Sequence, residues 1–313
     1  MTAAASADAP TKSVAYITDG ATNSVSRVDT ATNKVIGDPI TVGGNPLDAA
    51  VSPDGKQAYV TNNQDDSVSV IDTATNKVIG DAIHVGDAPK SVAVANTAHG
   101  PLVYVTNIGD GTVSVINPAD QKDIKTIPVG EAPWDVVASK DGSHVYVVNR
   151  DDDPGSVSVI NTDSNTVTNT VPVGDEPQGA AVTPDGKEVY VANTGTNNVS
   201  VINTANDKVN NIGVGKDGKG PNAVAVAPDG KQLYVTNHDS NNVSVINTAN
   251  DQVNTVDIGA SPVAVAVTPD SEHAYVTSPG WASRSVTVIG PGSDQVTPID
   301  GFVQPNGLAM ATV

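Results

Sequence analysis

Seven tyrosines, the only ones in the chain, constrain its fold more than any other feature. They lie 41 to 45 residues apart, and each stands inside the same short motif. The tyrosines and their motifs are Tyr16 in AYITD, Tyr59 in AYVTN, Tyr104 in VYVTN, Tyr146 in VYVVN, Tyr190 in VYVAN, Tyr234 in LYVTN and Tyr275 in AYVTS. A repeat of this length indicates a structural unit that buries its apolar faces only against neighbouring copies.

Each repeat contains four short strand patterns. In the repeat that begins at Ala58, AYVTN is followed by a polar loop, the strand SVSVID, the turn TATN and the strand KVIGDAIHVG. A proline and a strand of small residues follow, and a turn such as SPDGK then leads into the next tyrosine motif. We name the small-residue strand A, the tyrosine strand B, the SVSVI strand C and the last strand D. Four strands per repeat predict an all-β, seven-bladed β-propeller with four-stranded antiparallel blades.

The two ends of the chain predict how the ring closes. The first repeat begins at strand B, near Ser13, and the chain ends with a lone strand A after Pro305. The C-terminal strand should therefore join the N-terminal blade, which hides the sheet edges. The predicted blades are 306–313 with 12–42, then 47–85, 90–129, 134–173, 178–214, 222–258 and 262–302. We expect one propeller domain over 12–313 and a disordered tail over 1–11.

Composition agrees with this fold and excludes several functions. Aromatic residues make up only 3% of the chain, so the core must consist mainly of Val, Ile, Ala and Leu, and we interpret the tyrosines as packing between blades. The formal net charge is −19, which makes nucleic acid an unlikely partner and disfavours anionic membrane surfaces. The absence of cysteine excludes disulfides and thiolate chemistry. No apolar stretch reaches the ~20 residues of a membrane span.

The N-terminal residues suggest a location. Ala5-Ser6-Ala7 resembles the small-residue end of a secretory signal, although the charged and apolar parts of a signal are missing. We expect a secreted, periplasmic or cell-surface protein whose signal peptide is absent from this sequence. The alternative is an Ala-rich disordered tail.

The motifs AYVTN, VYVTN and LYVTN, followed by SVSVIDTATNKVI and SPDGKQAYVTN, resemble those of the YVTN-repeat family of seven-bladed propellers. The resemblance covers about residues 12–313. It implies an exported or surface-associated protein with a binding or interaction role, including single-stranded DNA binding in one branch, which the acidic composition here argues against. Similar propellers outside the family include lactonases and a lyase that opens a cyclic ester antibiotic.

The loops indicate which face carries the function. Loops A–B and C–D lie on one face, which we call the bottom, and their repeated Asp-Gly and Asn-rich turns have a conformational role. Loops B–C and D–A lie on the top face and differ between blades, as functional loops do. The position after the D–A proline should surround the channel mouth. We predict ligand binding by Trp134, Trp281, Lys90, Gln178, Asn222, Asn306 and Asp48, with Trp134 either a binding anchor or a plug of the channel.

Candidate catalytic and metal-binding residues lie on the same face. The best catalytic set is His238 beside Asp239, together with Asp135 and Glu176, and with Arg150, Arg284 or Lys90 to hold an anion. The alternative is that His238 is a hydrated surface residue of an Asn-rich turn. Asp151, Asp152 and Asp153 offer oxygen ligands for Ca²⁺, but no Ca²⁺-binding loop motif is present, and a solvated acidic rim is the other interpretation. We expect no cofactor.

Three functions fit the sequence. The first is a monomeric binding or interaction propeller that takes a small molecule or a protein at the top face. The second is an enzyme, such as a lyase or lactonase, that acts on a small organic molecule at the channel mouth. The third is a structural surface-layer protein that associates with itself. The fold alone does not distinguish them.

Overall fold

Short antiparallel strands form almost all of the regular structure. The computed structural model describes residues 13–259, 261–280, 284–293 and 295–312, with residues 123 and 124 described by their backbone alone. The predicted N-terminal tail, 1–11, and Trp281 lie outside the described residues. Within the described part of the chain, no helix is long and apolar enough to cross a membrane.

The strands follow the predicted order of four per repeat. Numbered β1 to β30 in chain order, they are Ser13–Asp19, Ser24–Asp29, Lys34–Val35, Ile40–Thr41, Pro46–Val51, Gln57–Asn62, Ser67–Asp72, Lys77–Val78, Ile83–His84, Pro89–Thr97, Gly100–Asn107, Thr112–Asn117, Lys122–Pro128, Pro133–Ala138, His144–Asn149, Ser156–Asn161, Thr166–Pro172, Pro177–Val182, Glu188–Asn193, Asn198–Asn203, Val209–Gly213, Pro221–Val226, Gln232–Asn237, Asn242–Asn247, Val253–Asp257, Ala264–Val267, Ala274–Ser278, Ser285–Ile289, Val296–Ile299 and Pro305–Thr312. One 3₁₀ turn, Pro291–Ser293, precedes β29.

These strands form seven antiparallel sheets, which are the seven blades. Blade 2 contains β5–β9, blade 3 β10–β13, blade 4 β14–β17, blade 5 β18–β21, blade 6 β22–β25 and blade 7 β26–β29. In blades 1 and 2 strand D is divided into two short pieces, β3 with β4 and β8 with β9. The prediction of seven four-stranded blades is confirmed.

Blade 1 closes the ring as predicted. Its innermost strand is β30, which pairs antiparallel with β1 so that Ala309 lies opposite Tyr16. The sheet order is therefore β3-β2-β1-β30, with strands from both ends of the chain. The Thr18 hydroxyl, within hydrogen-bonding distance of the Gly307 carbonyl at 3.3 Å, adds a side-chain contact to this closure.

Each gap between neighbouring blades contains its own apolar cluster. The seven clusters consist mainly of Val, Ile and Ala, and each includes one of the seven tyrosines, from the earlier blade of the pair. All seven tyrosines are at most 5% exposed. The tyrosines thus pack between blades, as the sequence analysis expected.

The asparagine that ends strand B connects three parts of a blade. In blade 4 this residue is Asn149, which is fully buried. Its Nδ2 donates to the hydroxyls of Ser156 and Ser158 on strand C, both at 2.9 Å, and its Oδ1 accepts the Gly130 N–H at 3.2 Å. A Cβ at Gly130 would lie 2.6 Å from the Asn149 amide carbon, which requires glycine there. In blades 2 to 6 the last residue of the YVTN-type motif joins strands B and C through its Nδ2, and in blades 2 and 4 its Oδ1 also binds the D–A loop.

We predict that Asn149→Ala lowers the free energy of unfolding by about 3 kcal/mol, because three hydrogen bonds are lost, two of them buried. Chemical denaturation measures this change. Asn254→Ala, at an exposed position of β25, is the matched control and should change stability by less than about 0.5 kcal/mol. Equal effects of the two substitutions would contradict the assigned role of Asn149.

The hydrogen bonds of the tyrosine hydroxyls differ between blades, which allows a second comparison of stability. Six of the seven donate to a neighbouring side chain, and Tyr104, for example, donates to Asn165 Oδ1 of the next blade at 2.6 Å. The Tyr146 hydroxyl makes no hydrogen bond to any described residue. We predict that Tyr104→Phe lowers the free energy of unfolding by about 1 kcal/mol, whereas Tyr146→Phe leaves it unchanged. A loss of stability in Tyr146→Phe as large as that in Tyr104→Phe would show that both hydroxyls have internal partners.

Candidate functional site

The central channel opens on the top face into a cavity of about 380 Å³. Two consecutive residues from the start of each strand A line it, because the proline before them fixes where each innermost strand begins. The first position carries Leu47, Lys90, Trp134, Gln178, Asn222, Val263 and Asn306, and the second carries Asp48, Ser91, Asp135, Gly179, Ala223, Ala264 and Gly307. The structure thus gathers in one cavity all the predicted ligand-binding residues that it describes.

Charge is concentrated on one side of this cavity. Blades 2, 3 and 4 contribute Asp48, Lys90 and Asp135, whereas the other four blades contribute amides, aliphatic side chains and glycines. The glycines are sterically required. A Cβ at Gly307 would lie 2.5 Å from the Leu47 carbonyl oxygen and 2.7 Å from Asp48 Oδ1, so this glycine makes room for the Asp48 carboxylate.

Ser91 lies between the two carboxylates. Its Oγ is 2.8 Å from Asp48 Oδ2 and 2.6 Å from Asp135 Oδ1. A hydroxyl has one hydrogen, so both contacts are hydrogen bonds only when one of the carboxyl groups carries a proton and donates it to Ser91. The group Asp48–Ser91–Asp135 is therefore built to hold one proton.

Backbone groups of neighbouring blades fix both carboxylates. Asp48 Oδ2 accepts the Val92 N–H at 3.2 Å, and Asp135 Oδ2 accepts the Ala180 N–H at 2.8 Å. Burial raises the pKa of Asp135 to about 6, with a contribution from the Asp48 charge, although its hydrogen bonds to Ser91 and the backbone oppose the shift. Burial likewise raises the pKa of Asp48. Both shifts agree with the shared proton that the distances require.

Two cations flank Trp134, which lines the same cavity. Lys90 Nζ lies 5.2 Å from the centroid of the indole ring and Arg150 Cζ lies 4.8 Å from it, both within cation–π range. Burial lowers the pKa of Lys90, while the charges of Asp48 and Asp135 oppose this shift. Arg150 also lies 3.8 Å from Glu176 Oε2. Trp134 is therefore held between charged groups and remains partly exposed to the cavity.

The remaining catalytic candidates lie apart from this cavity. His238 Nδ1 is 3.0 Å from Asp239 Oδ1, as predicted, but the pair is on an exposed loop and does not line the channel mouth. Arg284 is exposed and does not line it either. Glu176 reaches it only through Arg150. The structure thus brings together Asp135, Lys90 and Arg150 from the predicted catalytic set, and leaves His238 and Arg284 outside.

The carboxylates of the acidic rim on the top face form hydrogen bonds that hold neighbouring loops together. Asp152 Oδ1 accepts the Glu131 N–H at 2.8 Å, Asp65 Oδ2 accepts the Gly44 N–H at 2.6 Å and Asp110 Oδ2 accepts the Asp87 N–H at 2.7 Å. Carboxylates of B–C loops thus bind the backbone of D–A loops. In the part of the chain that the structure describes, no three His, Asp or Glu side chains are placed to hold a metal ion together, the run Asp151 to Asp153 included.

Sequence reasoning did not identify Ser91 as a functional residue. In the sequence, Ser91 resembles the other small residues of strand A. Its position between Asp48 and Asp135, which are 43 and 44 residues away in the chain, becomes apparent only when the three blades are packed together. The usable signal was the register after the proline, because it placed Asp48, Ser91 and Asp135 at the same level of three successive blades.

Comparison with known families agrees with the fold. The model for the seven-bladed β-propeller lactonases matches residues 119–212 and 170–268, and the model for YNCE-like β-propellers matches residues 3–102. Both models describe β-propellers, which agrees with the seven blades of the structure, and the predicted YVTN-type repeat is consistent with both. Comparison with curated proteins gives no match.

Solved structures show the same fold. Hydrazine synthase of Kuenenia stuttgartiensis is 26% identical, with a TM-score of 0.80 over 89% of this chain and 92% of that chain. A protein of unknown function from Desulfotomaculum acetoxidans DSM 771 is 18% identical, with a TM-score of 0.80 over 96% and 99%. A protein of Bacteroides uniformis ATCC 8492, provisionally named a 6-phosphogluconolactonase, is 17% identical, with a TM-score of 0.78 over 96% and 99%.

The raised pKa of Asp135 predicts a pH dependence of stability. Because its pKa in the fold is above the unfolded value of about 3.9, the protonated form favours folding, and this contribution is lost as pH rises through about 6. Relative to Asp135→Asn, the wild type should therefore lose about 2 kcal/mol of unfolding free energy between pH 4 and pH 8. Denaturant titrations of both proteins at several pH values measure this difference.

Asp48→Asn serves as the companion variant. It removes the neighbouring negative charge while its amide can still donate to Ser91, so the pKa of Asp135 should fall and the pH-dependent difference should shrink. A difference between wild type and Asp135→Asn that stays constant with pH would contradict the shared proton.

Proposed function

We propose that the chain binds a small hydroxylated organic acid, or its cyclic ester, at the channel mouth. The observation that carries this proposal is the convergence of Trp134, Lys90 and the Asp48–Ser91–Asp135 group in one cavity of about 380 Å³. That volume is within the usual range of small-molecule sites, and an apolar surface with a few fixed polar groups is their common chemistry.

The charges favour a ligand with a carboxylate or a polarised carbonyl. Lys90 and Arg150 lie against Trp134, and the charge of Arg150 is offset by Asp151 and Glu176, each 3.8 Å away. Asp48 and Asp135 share one proton and so carry one negative charge between them. The cavity can therefore accept one anionic group beside Lys90. Because the rest of the chain is strongly negative, an anion should bind most favourably beside Lys90.

Amides on the opposite side of the ring suit hydroxyl groups. Asn222 Nδ2 donates to Gln178 Oε1 at 2.9 Å, which fixes the orientation of both side chains. Gln178 Nε2 and Asn222 Oδ1 then make no hydrogen bond to a described residue, so one donor and one acceptor remain for a ligand. A hydroxyl can donate to one and accept from the other.

Hydrolysis of a lactone is the second candidate, and the match of residues 119–268 to the lactonase model supports it. Asp135 in its ionised form can take a proton from water as the water oxygen attacks the ester carbonyl carbon. The same proton can then pass to the ring oxygen as its bond to that carbon breaks. Lys90 would stabilise the negative charge on the carbonyl oxygen. A base with a pKa of about 6 is well matched to this role near neutral pH.

We further propose that the protein acts outside the cytoplasm, as an exported or surface-associated binding protein. The small residues Ala5-Ser6-Ala7 and the resemblance to YVTN-repeat proteins support this location.

We predict that gluconate and glucono-1,5-lactone each give a saturable change in the fluorescence of Trp134. The titration is made in a Trp281→Phe background, so that Trp134 is the reporting tryptophan. Lys90→Met should weaken binding more than tenfold, because it removes a charged hydrogen-bond donor worth about 1.5–3 kcal/mol. Lys56→Met, an exposed lysine next to Asp54, is the matched control and should bind as wild type does.

The same proteins separate binding from catalysis. If the chain is a lactonase, it opens the lactone faster than the spontaneous reaction, and Asp135→Asn lowers that rate at least about 100-fold. If it is a binding protein, affinity is saturable and the lactone opens at the spontaneous rate. No fluorescence change with either compound, or equal affinity in Lys90→Met and wild type, would contradict a site at the channel mouth.

A further inference from the structure

A second cavity, of about 560 Å³, opens on the bottom face between blades 4 and 5. It lies at the opposite end of the propeller from the channel mouth and shares no lining residue with it. The A–B loops of blades 4 and 5, strand D of blade 4 and the C–D turn of blade 5 enclose it. A ligand of this cavity would bind independently of one at the channel mouth.

Tyr146 is the one tyrosine of the seven whose hydroxyl has no partner among the described residues. In the other six blades the hydroxyl is satisfied in one of two ways. Tyr59, Tyr190 and Tyr234 donate to Gln57, Glu188 and Gln232, the residue two positions earlier. Tyr16, Tyr104 and Tyr275 donate to Asn76, Asn165 and Asn33, which end the C–D turn of the next blade.

Tyr146 has neither kind of hydrogen-bond partner, because both partner positions carry different residues in this case. His144 occupies the position two residues earlier, and its Nδ1 pairs with Ser143 Oγ at 2.8 Å. Asp207 occupies the turn position of blade 5, and its Oδ2 accepts from Asn169 Nδ2 at 2.6 Å. Tyr146 itself is 5% exposed, and it lines the cavity. Its hydroxyl therefore has no partner among the described residues and is open to a molecule bound in the cavity.

Other polar atoms at the cavity also make no hydrogen bond to a described residue. Asp141 accepts three hydrogen bonds, all through Oδ1, from Ser139 and Ser143. These bonds hold its pKa at about 2, so it is ionised, and its Oδ2 accepts no bond from a described residue. Asp207 Oδ1 and His144 Nε2 likewise have no partner in the described part of the chain. Val159 and Pro184 add an apolar wall.

We propose that this cavity binds a neutral saccharide unit. Its lining includes the Tyr146 hydroxyl, the carboxylates of Asp141 and Asp207, an imidazole nitrogen of His144 and the ammonium of Lys140. A sugar hydroxyl can accept from Tyr146 while its neighbour donates to Asp141 or Asp207. Asp141 and Asp207 outnumber Lys140, and the third carboxylate, Asp185, is paired with Lys187 at 2.7 Å, so the net charge disfavours an anion. An ammonium group could donate to the carboxylates but cannot accept from Tyr146. The C–H face of a sugar ring fits against Val159 and Pro184.

Saturation-transfer NMR and calorimetry on the full chain test this proposal. The neutral probes are glucose, galactose, mannose and N-acetylglucosamine, the cationic probe is spermidine and the anionic probe is inorganic phosphate. We expect saturable binding of at least one neutral sugar. Tyr146→Phe should weaken it about fivefold, and Asp207→Asn more than tenfold, because a hydrogen bond to a charged group is the stronger one.

Two control variants make the result specific. Tyr104→Phe loses an internal hydrogen bond and should lower the Tm by about 2 °C while leaving sugar affinity unchanged. Tyr146→Phe should keep the wild-type Tm and lose affinity, which no purely structural role would produce. Asp135→Asn, at the channel mouth, should bind sugar as wild type does.

Three results would overturn the proposal. The first is the absence of saturable binding by every neutral sugar. The second is sugar binding that neither Tyr146→Phe nor Asp207→Asn weakens, which would place the sugar elsewhere. The third is binding of spermidine or phosphate at this cavity in place of sugars, which would assign a different class of ligand.

Discussion

The hydrogen bonds of the buried asparagine at the end of strand B are the interaction on which the rest of the structure depends. In blade 4, Asn149 binds two serines of strand C and the backbone of the D–A loop. That loop leads directly into strand A of blade 4, so Asn149 helps to fix where this innermost strand begins, and Asn62 does the same in blade 2 by accepting the Gly43 N–H. The position of the innermost strands in turn fixes which side chains reach the channel. The geometry of the candidate site therefore follows from a structural residue that does not line the site.

Both candidate sites lie where the repeat is broken. Seven equivalent positions at the channel carry two acids and one serine on adjacent blades and small residues on the others, and this asymmetry creates the shared proton of Asp48, Ser91 and Asp135. The bottom cavity arises in the same way, because His144 and Asp207 replace the residues that satisfy the tyrosine hydroxyl in other blades. A repeated position that changes its chemistry while the backbone stays the same is a useful indicator of a site.

The sequence predicted the fold well because its signals are local and repeated seven times. The spacing of the tyrosines, the Asp-Gly turns, the first repeat's start at strand B and the lone strand A at the C-terminus predicted the blades and the closure through β30. The lining of the channel was also predictable, since the proline of each D–A loop gives the register. The individual hydrogen bonds between blades could not be predicted from the sequence. The bond of Ser91 to two carboxylates and the missing partner of Tyr146 depend on distances between residues about 40 to 60 positions apart, which no local pattern encodes.

The central proposal is that the cavity at the channel mouth binds a ligand beside Trp134. A crystal structure of the protein soaked with gluconate tests this proposal most directly, because it shows where the ligand lies and which atoms it contacts. We predict that the carboxylate lies beside Lys90 Nζ and that hydroxyls lie near Gln178 and Asn222. Gluconate density at another part of the molecule, with the channel mouth filled only by water, would contradict it.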